Sequence, residues 1–346
     1  RSAMTKRVQR MSKNVAIVGA TGAVGTTMLS ILEQRDFPIS SLRLMASSRS
    51  AGRVVPTKWG DVTVEDLDTA DPAGLDVALF SAGGSRSREY APKFVAAGCV
   101  VVDNSSAFRM DDNVPLVVAQ VNDEAIASHQ GIVANPNCTT MVVMMAAGPL
   151  HRAAGLKRMT ATSYQSVSGS GQTGIEVLTH ELDILGKDRE ALTQGGWSDP
   201  NSDIYSRPIG FNVLAHAGGF TEQGYTDEEW KLDNETRKIH EAPDIKVEPF
   251  CVRVPVIVGH GIAATMFFDR PVGLDEANEV LAAAPGAQLW DDSKVPTPLD
   301  SAGIDDVLVG RVRPTVGEPG GISLWTVGDN LRKGAALNAV QLAELL

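Results

Sequence analysis

NVAIVGATGAVGTTMLSILEQRDF, residues 14–37, decides the fold. Val15, Ile17 and Val18 form a short apolar run suited to a strand buried on both faces. Val24, Met28, Leu29, Ile31 and Leu32 recur at the spacing of one helix face. Between them lies GATGAVG, Gly19 to Gly25. Glycines let the backbone turn tightly there, and the helix start that follows favours an anion such as a pyrophosphate. The spacing is GxxGxxG, not GxGxxG, so a plain strand-to-helix turn stays open. At the end of the next strand, SLRLMASS, an acidic residue holds a ribose hydroxyl in NAD-binding chains. Here Ser47, Ser48 and Arg49 stand in its place, with no acid. Hydroxyls beside an arginine suit a 2′-phosphate and favour NADP, with a solvated basic loop as the alternative.

Outward from that stretch the alternation continues. LDVALFSAGG reads as a strand ending in a glycine turn, SREYAPKFVAAG as a helix and CVVVDNSS as a strand. PLVVAQVN and GIVANPN read as further short strands. A parallel, doubly wound sheet is therefore expected over about the first 135 residues. From about residue 156 the texture changes. KRMTATSYQSVSG, KVEPFCVRVPVIVG and AATMFFDR alternate as strands of a half-exposed sheet do. GIEVLTHELDILG and DEEWKLDNETRKIH carry helical patterns. The fold class is thus α/β: a Rossmann-like dinucleotide-binding domain, then an α+β domain with a mixed, largely antiparallel sheet. SDPNSDIYSRPIGFN reads as a long loop. GDNLRKGAALNAVQLAELL reads as an amphipathic final helix with Asn330 near its start.

At 346 residues the chain exceeds what one core usually serves, so two domains are expected, each with its own core. A formal net charge of -11 argues against a nucleic-acid coat or an anionic-membrane binder, though a local basic pocket can still hold a small anion. No apolar run approaches the roughly 20 residues of a membrane span. The opening RSAMTKRVQRMSKN is basic but lacks the apolar segment of a secretory signal. Residues 1–10 are set aside from the fold, with Met11 a candidate natural start. The three cysteines and six histidines show no CxxC or HxxxH spacing. Neither a disulfide scaffold nor a metal site is expected, and a reducing cytoplasm is the natural setting.

Cys138 lies in ANPNCTTM, residues 134–141, just before a helix. Helix N-terminal amides lower a thiol pKa and can receive the oxygen of a tetrahedral intermediate. By residue type alone a buried thiol is the better reading of any cysteine here, and Cys99 fits it. The polar NPNCTT setting lifts Cys138 above the others. Cys251 shares strand parity with Arg253 and is left open between a packed thiol and a site residue. RVPVIVGHG offers a base: with the strand running through Val256, His260 falls at its glycine-flanked end, and a plain loop histidine is the alternative. Arg253 faces away from Val252, Val254 and Val256. Arg109, in the DNSSAFRM loop, suits a phosphate or carboxylate. Glu228 and Lys231 stand at i, i+3 on one helix face, which by itself reads as a surface ion pair. Gln165 opens a Ser/Gly loop, QSVSGSGQTG, that either approaches a cofactor or simply turns.

GATGAVG, SSRSAG, SAGG, DNSSAFRM, NPNCTT, SYQSVSGSG, EEWK, RVPVIVGH and GDNLRKGAA stand in the order seen in the aspartate-β-semialdehyde dehydrogenases. The chain resembles that family, and most of all its bacterial branch, from about Asn14 to its end. The resemblance implies that Cys138 is an acyl-enzyme nucleophile, His260 a general acid/base and Gln165 a group that orients substrate. It gives Arg253 and Glu228 the carboxylate and amino group of an aspartyl moiety, and Arg109 and Lys231 the phosphate. It places NADP against Gly19, Thr21, Gly22, Ala23 and Val24, against Ser47, Ser48 and Arg49, against Ser81, Gly83 and Gly84, and against Ser168, Gly169 and Asn330. It implies NADPH-dependent reduction of L-4-aspartyl phosphate to L-aspartate 4-semialdehyde and inorganic phosphate, on the route to lysine, methionine and threonine. It also implies a homodimer built on the second sheet. The domains would be 13–136 with 331–346, for the cofactor, and 137–330, for catalysis and dimerisation. One departure stands out: Ile257 and Val258 occupy positions where a Phe-Thr pair is expected. An N-acetyl-γ-glutamyl-phosphate reductase, an NADP-binding sensor without catalysis and a hydrolytic cysteine enzyme are the rivals. The pairing of Glu228 with Arg253 disfavours the first, and Cys138, Gln165, Arg253 and His260 occurring together disfavours the second. The dinucleotide segment has no use in the third.

Overall fold

The computed structural model describes residues 11–200, 203–291 and 293–346. The segment set aside at 1–10 therefore lies outside the described residues, as do Asn201 and Ser202 of the expected polar loop. The chain opens with β1 (Lys13–Val18), α1 (Ala23–Gln34), β2 (Ile39–Ala46), β3 (Val54–Thr57), β4 (Gly60–Asp66) and β5 (Val77–Phe80). It continues with α2 (Gly84–Ala96), β6 (Val100–Asp103) and β7 (Ile132–Ala134). The strands form one sheet in the order β3-β4-β2-β1-β5-β6-β7. All its pairs are parallel except the β3–β4 hairpin, which was not read in the sequence.

Strand order reverses beside β1, where β2 lies on one side and β5 on the other. Ligand crevices in doubly wound sheets open at such a point. Gly19 sits there with φ +86, and a Cβ on it would lie 2.2 Å from the Ser81 carbonyl oxygen. Only glycine lets the two strand ends approach so closely. Gly25 answers a second constraint: a Cβ there would meet the Gly19 oxygen at 2.2 Å and the Ala20 Cα at 2.8 Å. Its absence lets α1 pack down on the turn.

The remainder runs α3 (Cys138–Ala154), β8 (Leu156–Gln165), α4 (Gln172–Leu185), α5 (Arg189–Gln194), α6 (Asp227–Ile239), β9 (Lys246–Arg253) and β10 (His260–Phe268). Then come α7 (Leu274–Ala282), β11 (Ala287–Leu289), α8 (Pro298–Ser301), β12 (Val307–Pro314), β13 (Ile322–Gly328) and α9 (Leu337–Leu345). The second sheet has the order β11-β12-β13-β10-β8-β9. Its outer pairs are parallel and its three inner pairs antiparallel. Met159, Ala161, Ile262, Ala264, Met266 and Leu324 face helix α3, with α6 over β9 and α7 over β11 and β12. On the other face Tyr164 and Phe250 are exposed, and Tyr164 packs against Trp325 with ring centroids 5.7 Å apart.

Four sequence readings need correction. PLVVAQVN is not a strand: it is a buried turn touching β7 through a Leu116–Ala134 bridge. The strand through Arg253 stops there, because Pro255 has no N–H to continue a ladder. His260 consequently begins β10 and does not end β9. The final helix is hardly amphipathic: Leu337, Asn338, Ala339, Val340, Leu342 and Ala343 are all buried, and a π-helical turn, Arg332–Ala336, precedes it. Finally, the two domains share a core. One apolar cluster runs from Val18, Phe80 and Val101 of the first sheet through the α3 methionines to Met159 and Ile262 of the second. A second cluster lies on the opposite face of the first sheet, where α9 packs against Val15, Ile17 and Val102.

Gly25→Ala is expected to cost about 1–3 kcal/mol of stability, the usual price of a methyl forced into a filled site. Urea unfolding checks this, and an unchanged midpoint would contradict the packing described.

Candidate active site

The strand ends of both sheets converge. In the first sheet, the turn after β1 and the loops after β6 and β7 emerge at the same edge, since these strands are parallel. In the second, Gln165 and Arg253 are register partners at the ends of a parallel pair. A cavity of about 250 Å³ lies where they meet, lined by Val24, Asn104, Arg109, Cys138, Gln165 and Gly169, and by Glu228, Lys231, Arg253 and Asn330. Roomier clefts of about 730 and 530 Å³ lie elsewhere and present no cysteine.

Cys138 is the first residue of α3. Asn137 is its N-cap, and its Oδ1 accepts the Thr139 N–H at 2.9 Å. This is the preferred use of asparagine at a helix start. The helix is buried along nearly its whole length, so its first residue is firmly placed. Gly334 of the π-helical turn backs the thiol: a Cβ there would stand 3.0 Å from that of Cys138. The thiol keeps an opening to the cavity, yet protein crowds it on all other sides. Burial, followed by the Glu228 carboxylate, pushes its pKa up to about 11, against the pull of Arg109 and Arg253. The sequence argument anticipated a lowered value. A helix N-terminus contributes under about one pKa unit, too little to offset burial.

His260 is fully buried beside Cys138's cavity, beneath Gly169, whose added Cβ would lie 3.4 Å from Nε2. Its Nδ1 accepts the Ser166 backbone N–H at 3.1 Å, with Ser166 Oγ also at 3.1 Å. Nε2 has no partner. Accepting at Nδ1 leaves the proton of a neutral imidazole on Nε2. Burial, and then Arg253, push the His260 pKa down to about 3, so the ring is neutral. Asn330 locks this corner: its Oδ1 accepts from Ser166 Oγ at 3.0 Å and from the Gly259 N–H at 2.9 Å.

The charged groups divide into paired and unpaired. Glu228 accepts Lys231 Nζ at 2.7 Å and Asn137 Nδ2 at 3.0 Å. Burial works against the Lys231 ammonium, but Glu228 and Asp227 outweigh it and its pKa is raised. Arg109 is held by the Asn135 and Asn104 carbonyls and by Glu235. Arg253, 7% exposed, donates to the Ser166 carbonyl at 2.8 Å, and among the described residues no carboxylate pairs with it. A buried guanidinium without a counter-ion is costly, and an anionic ligand relieves that cost.

The dinucleotide residues lie at the switch point. The N-terminus of α1 has no side-chain cap and no acid in its first turn, which leaves its amides to an anion. Ser48 and Arg49 are exposed at the end of β2. Together with the bare Gly19 turn, these residues fit a nicotinamide dinucleotide. Ser168 is less free than a cofactor loop suggests, being bonded to Asn330 at 2.9 Å. Cys251 is a fully buried thiol, pushed up to about 12 by burial, and Cys99 likewise. Sequence reasoning missed Asn104, Ser106, Asn137, Ser166, Glu235 and Gly334.

A family model described as "Semialdehyde dehydrogenase, NAD binding domain" matches residues 14–129, and one described as "Semialdehyde dehydrogenase, dimerisation domain" matches 148–333. The chain is similar to the aspartate-semialdehyde dehydrogenase of Streptomyces akiyoshiensis, 51% identical over 337 residues, covering 96% of this chain and 98% of that protein. It is 49% identical over 342 residues to that of Corynebacterium glutamicum, with the same coverage. The crystal structure of aspartate semialdehyde dehydrogenase II from Vibrio cholerae matches with a TM-score of 0.91 at 43% identity, covering 97% of this chain and 98% of that one.

With its pKa at about 11, Cys138 in the empty protein is expected to react with iodoacetamide ever faster as pH rises from 7 to 10, about tenfold per unit. Cys138→Ser serves as the blank. A rate that levels off near pH 7 would show a thiolate already formed.

Proposed function

We propose what the site does from a plain premise: the chain belongs to the aspartate-semialdehyde dehydrogenase family and is an oxidoreductase of amino-acid biosynthesis with a nicotinamide-binding domain. The reaction is the reversible, NADPH-dependent conversion of L-4-aspartyl phosphate to L-aspartate 4-semialdehyde and phosphate, serving lysine, methionine and threonine synthesis. The observation that carries it is Arg253, a buried cation in the cysteine cavity with no acid of its own among the described residues. It suits the α-carboxylate of an aspartyl group, while Glu228, lining the same cavity, suits the ammonium. A substrate acylated on nitrogen has no ammonium for Glu228, which disfavours the N-acetylglutamyl reading.

Cys138 gives its thiol proton to His260 Nε2, making an imidazolium, and the Sγ thiolate attacks the acyl carbon. The C–S bond forms, the C–O bond to phosphate breaks, and phosphate leaves with that electron pair into the seat of Arg109 and Lys231. NADPH, when bound, supplies the hydride that takes the acyl group to the aldehyde level. The His260 imidazolium gives its Nε2 proton to the substrate oxygen as the acyl carbon is reduced, and Nε2 takes that proton back as the C–S bond breaks. Ser166 Oγ, at 3.1 Å from Nδ1, can accept a hydrogen bond from Nδ1–H in the tautomer that leaves Nε2 free to act as a base. Gln165, 1% exposed beside Arg253, orients the acyl group. Covalent capture splits a hard step into two easier ones.

NADP over NAD rests on Ser47, Ser48 and Arg49 in place of an acid. Thr21, Ala23, Val24, Ser81, Gly83, Gly84 and Asn330 complete the cofactor contacts. The domains divide as 13–136 with 331–346, and 137–330. The exposed aromatic face around Tyr164 and Phe250 seats a second copy, making a homodimer. Among the described residues no helix is long and apolar enough to cross a membrane, in keeping with a cytoplasmic enzyme.

The test is NADPH formation from L-aspartate 4-semialdehyde, NADP and phosphate, with NAD and N-acetylglutamate semialdehyde in parallel. Turnover is expected only with the aspartyl aldehyde, phosphate and NADP, and a loss on the order of a thousandfold or more in Cys138→Ser. Cofactor binding without turnover of either aldehyde would overturn the proposal.

A further inference from the structure

Helix α6 carries more of the site than Glu228 and Lys231. Glu235 and Lys238 continue the same stripe at i+7 and i+10 from Glu228. Lys238 Nζ donates to the Arg109 and Asp111 carbonyls, each at 2.8 Å. Glu235, 1% exposed, divides its two oxygens. Oε1 accepts Arg109 Nη1 at 3.1 Å, and Oε2 accepts the Asn137 N–H at 2.7 Å. Arg109 Nε and Nη2 donate to the Asn135 and Asn104 carbonyls at 2.9 and 3.0 Å. A guanidinium has five N–H donors, so these contacts leave a pair for the cavity.

We infer that Glu235 is a positioning residue. It fixes the plane of the Arg109 guanidinium with one oxygen and the peptide N–H preceding Cys138 with the other, so that the phosphate seat and the nucleophile keep one spacing. This rests on the reading of Arg109 as a phosphate ligand. The carboxylate is needed as such: glutamine replaces one of the two acceptor oxygens with an NH2 donor, which meets one of the N–H partners donor to donor. Neither contact was legible in the sequence, where Glu235 reads as one more acid on a charged helix.

The test is a double-variant cycle on the whole enzyme in the oxidative direction, using inorganic phosphate. KM for phosphate and for NADP is measured in wild type, Glu235→Gln, Arg109→Lys and the pair. Glu235→Gln is expected to raise the phosphate KM about tenfold while the NADP KM stays within about twofold. In phosphate KM the pair is expected to be no worse than Arg109→Lys alone, because a guanidinium already removed has no plane to fix. Glu235→Asp keeps both acceptor oxygens on a shorter stem and should fall between wild type and Glu235→Gln. It carries the same cycle should the glutamine variant fail to fold. Effects of the two positions that add, or phosphate and NADP KM rising together, would overturn the inference. A wild type whose turnover ignores phosphate would instead sink the reading of Arg109 itself, so the two failures can be told apart.

Discussion

A helix start buried between two sheets is the constraint on which the site depends. Helix α3 is packed against strands of the second sheet and lies in the same apolar cluster as strands of the first, so it cannot shift without opening both. Its first residue is Cys138, capped by Asn137 and backed by a glycine. Every other group is placed relative to that point. The loop after β6 brings Arg109, the ends of β8 and β9 bring Gln165 and Arg253, and the start of β10 brings His260. The packing that stabilises the fold is thus the packing that places the Cys138 thiol at the cavity.

Electrostatics in the cavity are balanced unevenly, and the imbalance has chemical content. Lys231 and Arg109 already have carboxylate partners, Glu228 and Glu235. Arg253 has none among the described residues and donates only to the Ser166 carbonyl there. The same low-polarity surroundings hold the Cys138 thiol and the His260 ring in their neutral forms.

The sequence made the first sheet legible because a strand, three glycines and a helix are contiguous in it. The parts that stayed hidden are those set by distant segments. Gly334 looks like any helix glycine until its Cα is found against Cys138, almost two hundred positions away in the chain. Glu235 looks like surface charge until Arg109 arrives from the first domain. The end of β9 was overrun because Val254 and Val256 suit a strand, and the proline between them weighed too little. Cys138 does start a helix, as its sequence setting implied, but the direction of its pKa was misjudged. Local motifs report the dipole of a helix, whereas burial is a property of the whole fold.

Covalent capture by Cys138 is the central claim, and intact-protein mass spectrometry tests it most directly. The enzyme would be mixed with NADP and L-aspartate 4-semialdehyde without phosphate, so that an acyl group formed on sulfur has no phosphate to leave with. The account predicts a mass gain of one aspartyl group, mapped to the peptide containing Cys138, discharged on adding phosphate and absent from Cys138→Ser. NADPH formed in a single turnover with no adduct, or an adduct on another residue, would contradict it.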